Sequence, residues 1–285
     1  MIKEGAMNRY DEKWVRTYYD QYGQNEWHRW EKSPADEVKL HVHHHYLRKH
    51  IRRGSRVLEM GAGAGRFTQL LAARGARIVV ADISPGQLRL NRLNGRRLGY
   101  GNRVEKWLRL DMCRMNRLPD ETFDAVVCYG GPLSYAFERR EAALRELVRV
   151  LKPSGTLLVS VMSLWGAVHQ FLPTVMDLPP EEHRPIIQTG DLHPDHYKAC
   201  THRCHMFRAA ELRDFLEVGG AVDILSLSAS NCLSAAWGAE MQAIRGQPRK
   251  WKELLRLELE ACREPGCLDM GTHIIAAVRK QESHT

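Results

Sequence analysis

Residues 56–71, RVLEMGAGAGRFTQLL, set an apolar run directly ahead of three glycines, Gly61, Gly63 and Gly65, with helix-forming sequence directly behind them. No other stretch limits the possible folds as much. A strand that passes into a helix through such a turn belongs to a sheet of parallel strands joined by helical crossovers. The turn lies at the carboxyl edge of that sheet, where missing side chains let the backbone approach a ligand. The rest of the chain repeats the alternation. Strands are expected at 56–60, 77–83, 104–110, 123–130 and 155–162. Helices are expected from about Gly65 to before Gly75, from Pro85 to Gly95, and over RREAALRELVRVL. Two more strands, at 222–230 and 271–280, flank a helical stretch around WKELLRLELEACR, and the closing GTHIIAAVRK reads as an edge strand. The fold class is therefore α/β, a doubly wound Rossmann-like sheet.

Two regions fall outside this alternation. Residues 1–50 are rich in aromatics and histidine and are expected to form an N-terminal helical cap on a domain spanning 51–285. Residues 163–206 are too long for an ordinary connection and are expected to be an inserted lid. With 285 residues and 44% hydrophobic composition, the chain can bury a sizeable core. Its apolar runs are well short of the roughly 20 residues a membrane span requires. The polar opening MIKEGAMNRYDEKW has no signal-peptide apolar segment. A soluble cytoplasmic protein is expected. Seven scattered cysteines suit a reducing compartment better than a disulfide framework. Lys and Arg exceed Asp and Glu by 8, but the excess is spread along the chain rather than gathered into a basic tract, so nucleic acid is not the expected partner.

The carboxylates narrow the ligand. Asp82 follows Gly61 by 21 positions at the end of the second expected strand, where a carboxylate accepts from both hydroxyls of a ribose. A dinucleotide fingerprint would need glycine or alanine at position 66, which is Arg66. Asp111, closing the third strand, suits an adenine amino group better than a phosphate.

In this order and spacing, VLEMGAGAGRF, VVADIS, LRLDM, FDAVVCYGG and RVLKPSGTLLVSV resemble the class I S-adenosylmethionine-dependent methyltransferases over residues 50–162, and more loosely to the C-terminus. The resemblance implies a seven-stranded sheet whose last strand, GTHIIAAVRK, runs antiparallel, and S-adenosylmethionine as cofactor. It also implies roles for particular residues. Glu59, Gly61, Ala62 and Gly63 would hold the methionine portion. Asp82 would bind the ribose, with Ile83 against the adenine, and Asp111 and Met112 would recognise the adenine edge. Cys128, Tyr129 and Gly130 would pass beneath the sulfonium. The chain departs from the family at KPSG, where Ser154 stands in place of the first of two usual glycines.

Methyl transfer is an in-line displacement, so positioning matters most, and a base helps only acceptors that hold their proton. Tyr18 and Tyr19, in WVRTYYDQYGQNEWHRW, are the aromatics expected over the cofactor. His196 and His202, in HPDHYKACTHRCH, are the candidate catalytic bases. That segment matches no standard zinc spacing, and HVHHHYLRKH has no completing ligand, so no metal site is expected. The expected reaction is methylation of an O, N or S atom of a small organic molecule. Two alternatives are an RNA methyltransferase and a non-catalytic S-adenosylmethionine-binding protein. The first is disfavoured because CYGGP replaces the Asn-Pro-Pro-Tyr-type motif used on exocyclic base amines.

Overall fold

The computed structural model describes residues 9–218 and 222–282. A seven-stranded sheet forms its centre, built from β1 (Arg56–Met60), β2 (Arg77–Asp82), β3 (Val104–Arg109), β4 (Phe123–Cys128), β5 (Leu151–Met162), β8 (Val222–Ala229) and β9 (His273–Lys280). Their spatial order is β3-β2-β1-β4-β5-β9-β8. The first five are mutually parallel, and β9 runs antiparallel to both β5 and β8. The strand order reverses between β1 and β4, which places a ligand crevice at their carboxyl ends.

Side chains alternate across the pleat, so each central strand feeds two cores. Leu58, Met60, Val79, Ala81, Val126 and Cys128 enter one, with α6 (Arg140–Arg149) and α10 (Ala209–Glu217) against them. Val57, Ile78, Val80, Ala125 and Val127 enter the other, covered by α3 (Pro34–His50), α4 (Arg66–Ala73) and α5 (Pro85–Arg97). On the edge side of that core, α11 (Gly238–Arg245) and α12 (Pro248–Ala261) complete the layer.

The expectation of an edge strand at GTHIIAAVRK is corrected here. β9 lies between β5 and β8 and pairs with both, leaving β8 at the edge. Ile274 to Val278 are five consecutive buried apolar residues. A strand covered on both faces carries such an unbroken run, whereas an edge strand usually shows a polar alternation or a charge.

The N-terminal fifty residues divide in two. α3 belongs to the sheet's helical layer: Ser33 caps it by accepting from the Asp36 amide at 3.2 Å, Pro34 opens it, and Val38, Val42, Tyr46 and Leu47 are buried. α1 (Glu12–Tyr22) and the short α2 (Asn25–His28) instead cross the carboxyl ends of the strands. Residues 163–206 fold as α7 (Leu164–Gln170), α8 (Leu172–Asp177), α9 (Pro180–Thr189) and a hairpin of β6 (Asp191–Leu192) with β7 (Cys204–His205). Val15 of α1 packs with Leu164, Ile186, Cys204 and Met206, so the insertion and α1 share a small core over the strand ends. His205 ties the hairpin to α10, each ring nitrogen lying 2.7 Å from a carboxylate oxygen, one of Asp191 and one of Glu211. These two carboxylates hold the imidazole pKa above its ordinary value against the opposing effect of burial.

Candidate functional site

The glycine turn after β1 holds left-handed backbone at Gly61 (φ +68°) and Gly63 (φ +53°). The turn is also crowded. A Cβ on Gly61 would collide with the Pro132 ring, and one on Gly63 would come within 2.8 Å of Glu26 Cγ. Asp82, at the end of β2, reaches back to this turn. Its two oxygens accept the backbone N–H of Gly63 and of Ser84, each at 2.8 Å. Burial pushes its carboxyl up to about 6 even so. Glu59 lies deeper in β1, at 2% exposure, with Oε2 accepting the Thr68 hydroxyl at 2.6 Å and Oε1 left without a partner. Burial pushes its carboxyl up to about 8. Asp111 accepts from the Cys113 amide at 2.8 Å, and the Tyr10 phenol beside it is driven upward by burial and then by that carboxylate.

Together these elements line a cavity of about 580 Å³, part of it open to solvent. Of the residues expected to bind a cofactor, Tyr19, Gly61, Gly63, Asp82, Ile83, Asp111, Met112, Tyr129 and Gly130 line it. Glu59 sits beneath the turn. Ala62 is buried, with its amide donating to the Ala81 carbonyl, and Cys128 is packed into the core with its thiol pushed up to about 12 by burial. Tyr18 is not among the residues lining this cavity and is stacked between Trp14 and Tyr22.

Lining residues not singled out from the sequence include the apolar Val15, Met60 and Leu110 and, of more chemical interest, Tyr10, Glu26, Arg29, Pro132 and Tyr135. Arg29 Nε lies 2.9 Å from Glu26 Oε1, and the Arg29 guanidinium also donates to the Gly130 carbonyl at 3.3 Å. Burial lifts the Glu26 carboxyl to about 6, with Arg29 opposing and Asp82 adding to the shift.

A second, larger groove of about 2,620 Å³, part of it open to solvent, lies on the other side of the Gly130–Gly131 turn. α7 and α8 contribute Ala167, Phe171 and Leu172; the hairpin region contributes His202, Cys204 and Met206; the α11 region contributes Trp237 and Met241. Met162 and His273 form its inner end. The two cavities meet at two points. A Cβ on Gly131 would sit 3.5 Å from both His273 Nε2 and Met162 Cε. Tyr135 lines the first cavity, and its hydroxyl is 3.2 Å from Nε2 of His202, which lines the second.

His202 is thus held between phenols, with Tyr18 Oη 3.1 Å from its Nδ1 and Tyr19 donating to Tyr135 at 2.6 Å. Burial first, and the Arg29 charge second, push its pKa down to about 4, so the imidazole is neutral at physiological pH. His196, the other candidate base, lies 3.0 Å from the Asp191 carbonyl through Nδ1 and lines neither cavity.

Among known proteins, the family described as methyltransferase domain matches residues 58–159. The demethylmenaquinone methyltransferase of Clavibacter sepedonicus is 40% identical over 110 residues, 39% of this chain and 42% of that protein. The ubiquinone/menaquinone biosynthesis C-methyltransferase UbiE of Cronobacter sakazakii is 34% identical over 113 residues, 38% of this chain and 43% of that protein. The chain therefore spans less than half the length of these relatives. Two solved structures match far more of it at low identity. The [4+2]-cyclase SpnF has a TM-score of 0.60 at 18% identity, covering 97% of this chain and 99% of that one. The 1,6-didemethyltoxoflavin-N1-methyltransferase of Burkholderia thailandensis has a TM-score of 0.56 at 14% identity, covering 98% and 93%. At such identities these likenesses speak for the fold alone.

The smaller cavity fits S-adenosylmethionine by its chemistry. Asp82 and Asp111 both line it and offer carboxylate oxygens to hydroxyl or amino donors of a nucleoside. The buried carboxylates Glu26, Glu59 and Asp82 form a surplus of latent negative charge that a cationic cofactor would compensate. The matched model, the partial curated relatives and the seven-stranded sheet with its reversed β9 agree: over residues 58–159 the chain carries a methyltransferase domain of the S-adenosylmethionine-dependent kind, set in a class I-type sheet.

Proposed function

We propose that the chain transfers a methyl group to a small organic acceptor bound in the larger groove. The observation that carries this reading is the seam itself: the linings of the two cavities approach each other at the Gly130–Gly131 turn and touch through the Tyr135–His202 contact. S-adenosylmethionine supplies an electrophilic methyl group when bound, and the chain has to orient the acceptor, exclude water and remove a proton where the acceptor holds one. The groove is mainly apolar, with His202 and His273 at its inner end, which suits an aromatic or aliphatic body bearing one polar group. The insertion 163–206 acts as the lid over this groove.

Among O, N and S acceptors, a hydroxyl oxygen is favoured, because His202 stands at the seam as a neutral base. As Tyr135 Oη takes the acceptor's proton it gives its own to His202 Nε2; the Nδ1 proton of His202 then passes to Tyr18, which is half-buried and releases its hydroxyl proton to solvent. The lowered pKa of His202 means that it hands the proton on rather than keeping it. A second reading, methylation at a ring carbon of a hydroxyarene, draws on the C-methyltransferase activity carried in the names of the curated relatives. It needs the same base.

The test offers 1,4-dihydroxynaphthalene with S-adenosylmethionine and follows S-adenosylhomocysteine release, with the methylated position read by NMR. O-methyl product supports the first reading and C-methyl product the second. His202→Asn should lower kcat by about 100-fold, within the usual range for a general base, and leave cofactor affinity unchanged. Cofactor binding without turnover on this and related hydroxyarenes, amines and thiols would favour a non-catalytic binding protein.

A further inference from the structure

The buried pair Glu26–Arg29 projects into the cofactor cavity from the four-residue α2 and the position just after it. Neither side chain belongs to the apolar clusters of the core. α2 is instead anchored by Trp27 and followed by Trp30, which are 7% and 4% exposed. The pair is also incompletely satisfied. Glu26 Oε2 and Arg29 Nε are sealed from solvent, and among the described residues neither makes a well-aligned hydrogen bond, Nε meeting Glu26 Oε1 at 2.9 Å as an ion-pair contact only. A buried ion pair of this kind loses hydration on both members and is poorly compensated unless further hydrogen bonds complete it. Both residues line the cofactor cavity. Glu26 presses against the Gly63 face of the glycine turn, and Arg29 reaches the Gly130 carbonyl at the far wall.

A ligand that completes both members must bring a donor and an acceptor at once, and a cationic donor beside an anionic acceptor does so most strongly. The amino-acid end of the cofactor is such a group, an ammonium and a carboxylate on one carbon. We propose that Glu26 and Arg29 form the subsite for this zwitterion, Glu26 accepting from the ammonium and Arg29 donating to the carboxylate. Their mutual ion pair in the ligand-free chain stands in for the contacts that the zwitterion later makes. This rests on the cofactor assignment and adds a determinant outside the glycine turn: α2 reads whether the nucleoside carries an amino-acid tail.

Two ligands that share adenosine and sulfur but differ in that tail test the assignment: S-adenosylhomocysteine, which has it, and 5′-methylthioadenosine, which lacks it. Each is titrated calorimetrically into wild-type protein and into Glu26→Gln, Arg29→Met and Arg29→Lys. Glu26→Gln and Arg29→Met should each weaken S-adenosylhomocysteine by about 10- to 100-fold, the size of a lost charge-assisted hydrogen bond, and change methylthioadenosine by less than about twofold. Arg29→Lys, which keeps the charge but loses the fork, should fall between wild type and Arg29→Met for S-adenosylhomocysteine. Equal weakening of both ligands in all variants, or of neither, overturns the proposal. Wild-type protein that binds neither ligand would instead overturn the cofactor assignment beneath it.

Discussion

At the scale of single residues, the site is defined by carboxylates held out of water. Glu59 keeps a proton near neutral pH because burial raises its carboxyl to about 8, with Asp82 adding to the shift and the hydroxyl and backbone of Thr68 opposing it. A cationic ligand beside it favours the charged form, so binding should expel a proton, and affinity for S-adenosylmethionine should rise between pH about 6 and 8. Calorimetry in buffers of different ionisation enthalpy reads this directly. Glu59→Gln should abolish the proton release, and a release that persists unchanged would assign it elsewhere. Ser154 illustrates a different residue-scale effect. It stands at φ +61°, in the left-handed region, where the family usually places glycine. A side chain there costs roughly 1–2 kcal/mol, partly offset by the entropy that glycine would lose. Ser154→Gly should therefore stabilise by about 0.5–1 kcal/mol, raising Tm by about 2 °C, provided the lost contact from Ser154 Oγ to Glu282 is minor at its exposed position.

At the scale of elements, the insertion is docked on the sheet by close backbone approach as well as by side chains. Gly166 in α7 lies so near the Gly271 carbonyl, just ahead of β9, that an added Cβ would collide with backbone. The neighbour is not a flexible side-chain end and cannot swing aside. Gly166→Ala should thus push α7 outward and expose residues 163–206 to limited proteolysis several-fold faster, while the sheet's own unfolding shifts less. Unchanged cleavage would mean that the docking does not depend on this contact. The strands and long helices were legible within a few residues because each carries its own periodicity. β5 was not, because the Lys152–Gly155 segment that reads as a turn is absorbed into a strand whose register against β4 jumps between Phe123 and Ala125. The place of β9 also escaped sequence reasoning, since strand order is a matter of long-range pairing.

At the scale of the whole molecule, buried neutral histidines and raised carboxyls set opposite pH dependences. His43 is pushed down to about 3, His202 to about 4, and His273 well below its ordinary value, in each case chiefly by burial. Each binds its proton more tightly when unfolded, so its contribution is complete above pH about 6.5 and is lost as pH falls through the unfolded value. Glu26, Glu59 and Asp82, whose folded values are raised, act the other way and favour the folded state on acidification. The histidine shifts are the larger set. The ligand-free protein should therefore lose Tm steadily from pH 6.5 towards 4.5 in scanning calorimetry, and a flat profile would mean that the carboxyls cancel them.

What the sequence determined by itself was the cofactor-facing half. Gly61, Gly63, Asp82 and Asp111 are recognisable because a turn's backbone conformation and a carboxylate at a strand end depend on neighbours close along the chain. The other half was decided only by tertiary structure. Glu26 and Arg29 sit on a single helical turn with no periodic signal, and Arg29 meets Gly130 across 101 positions. His202 acquires its role from Tyr18, 184 positions away, and from Tyr135, 67 positions away. Such contacts leave no local pattern, because they arise when α1, α2 and the insertion cover the same strand ends and pack against one another there.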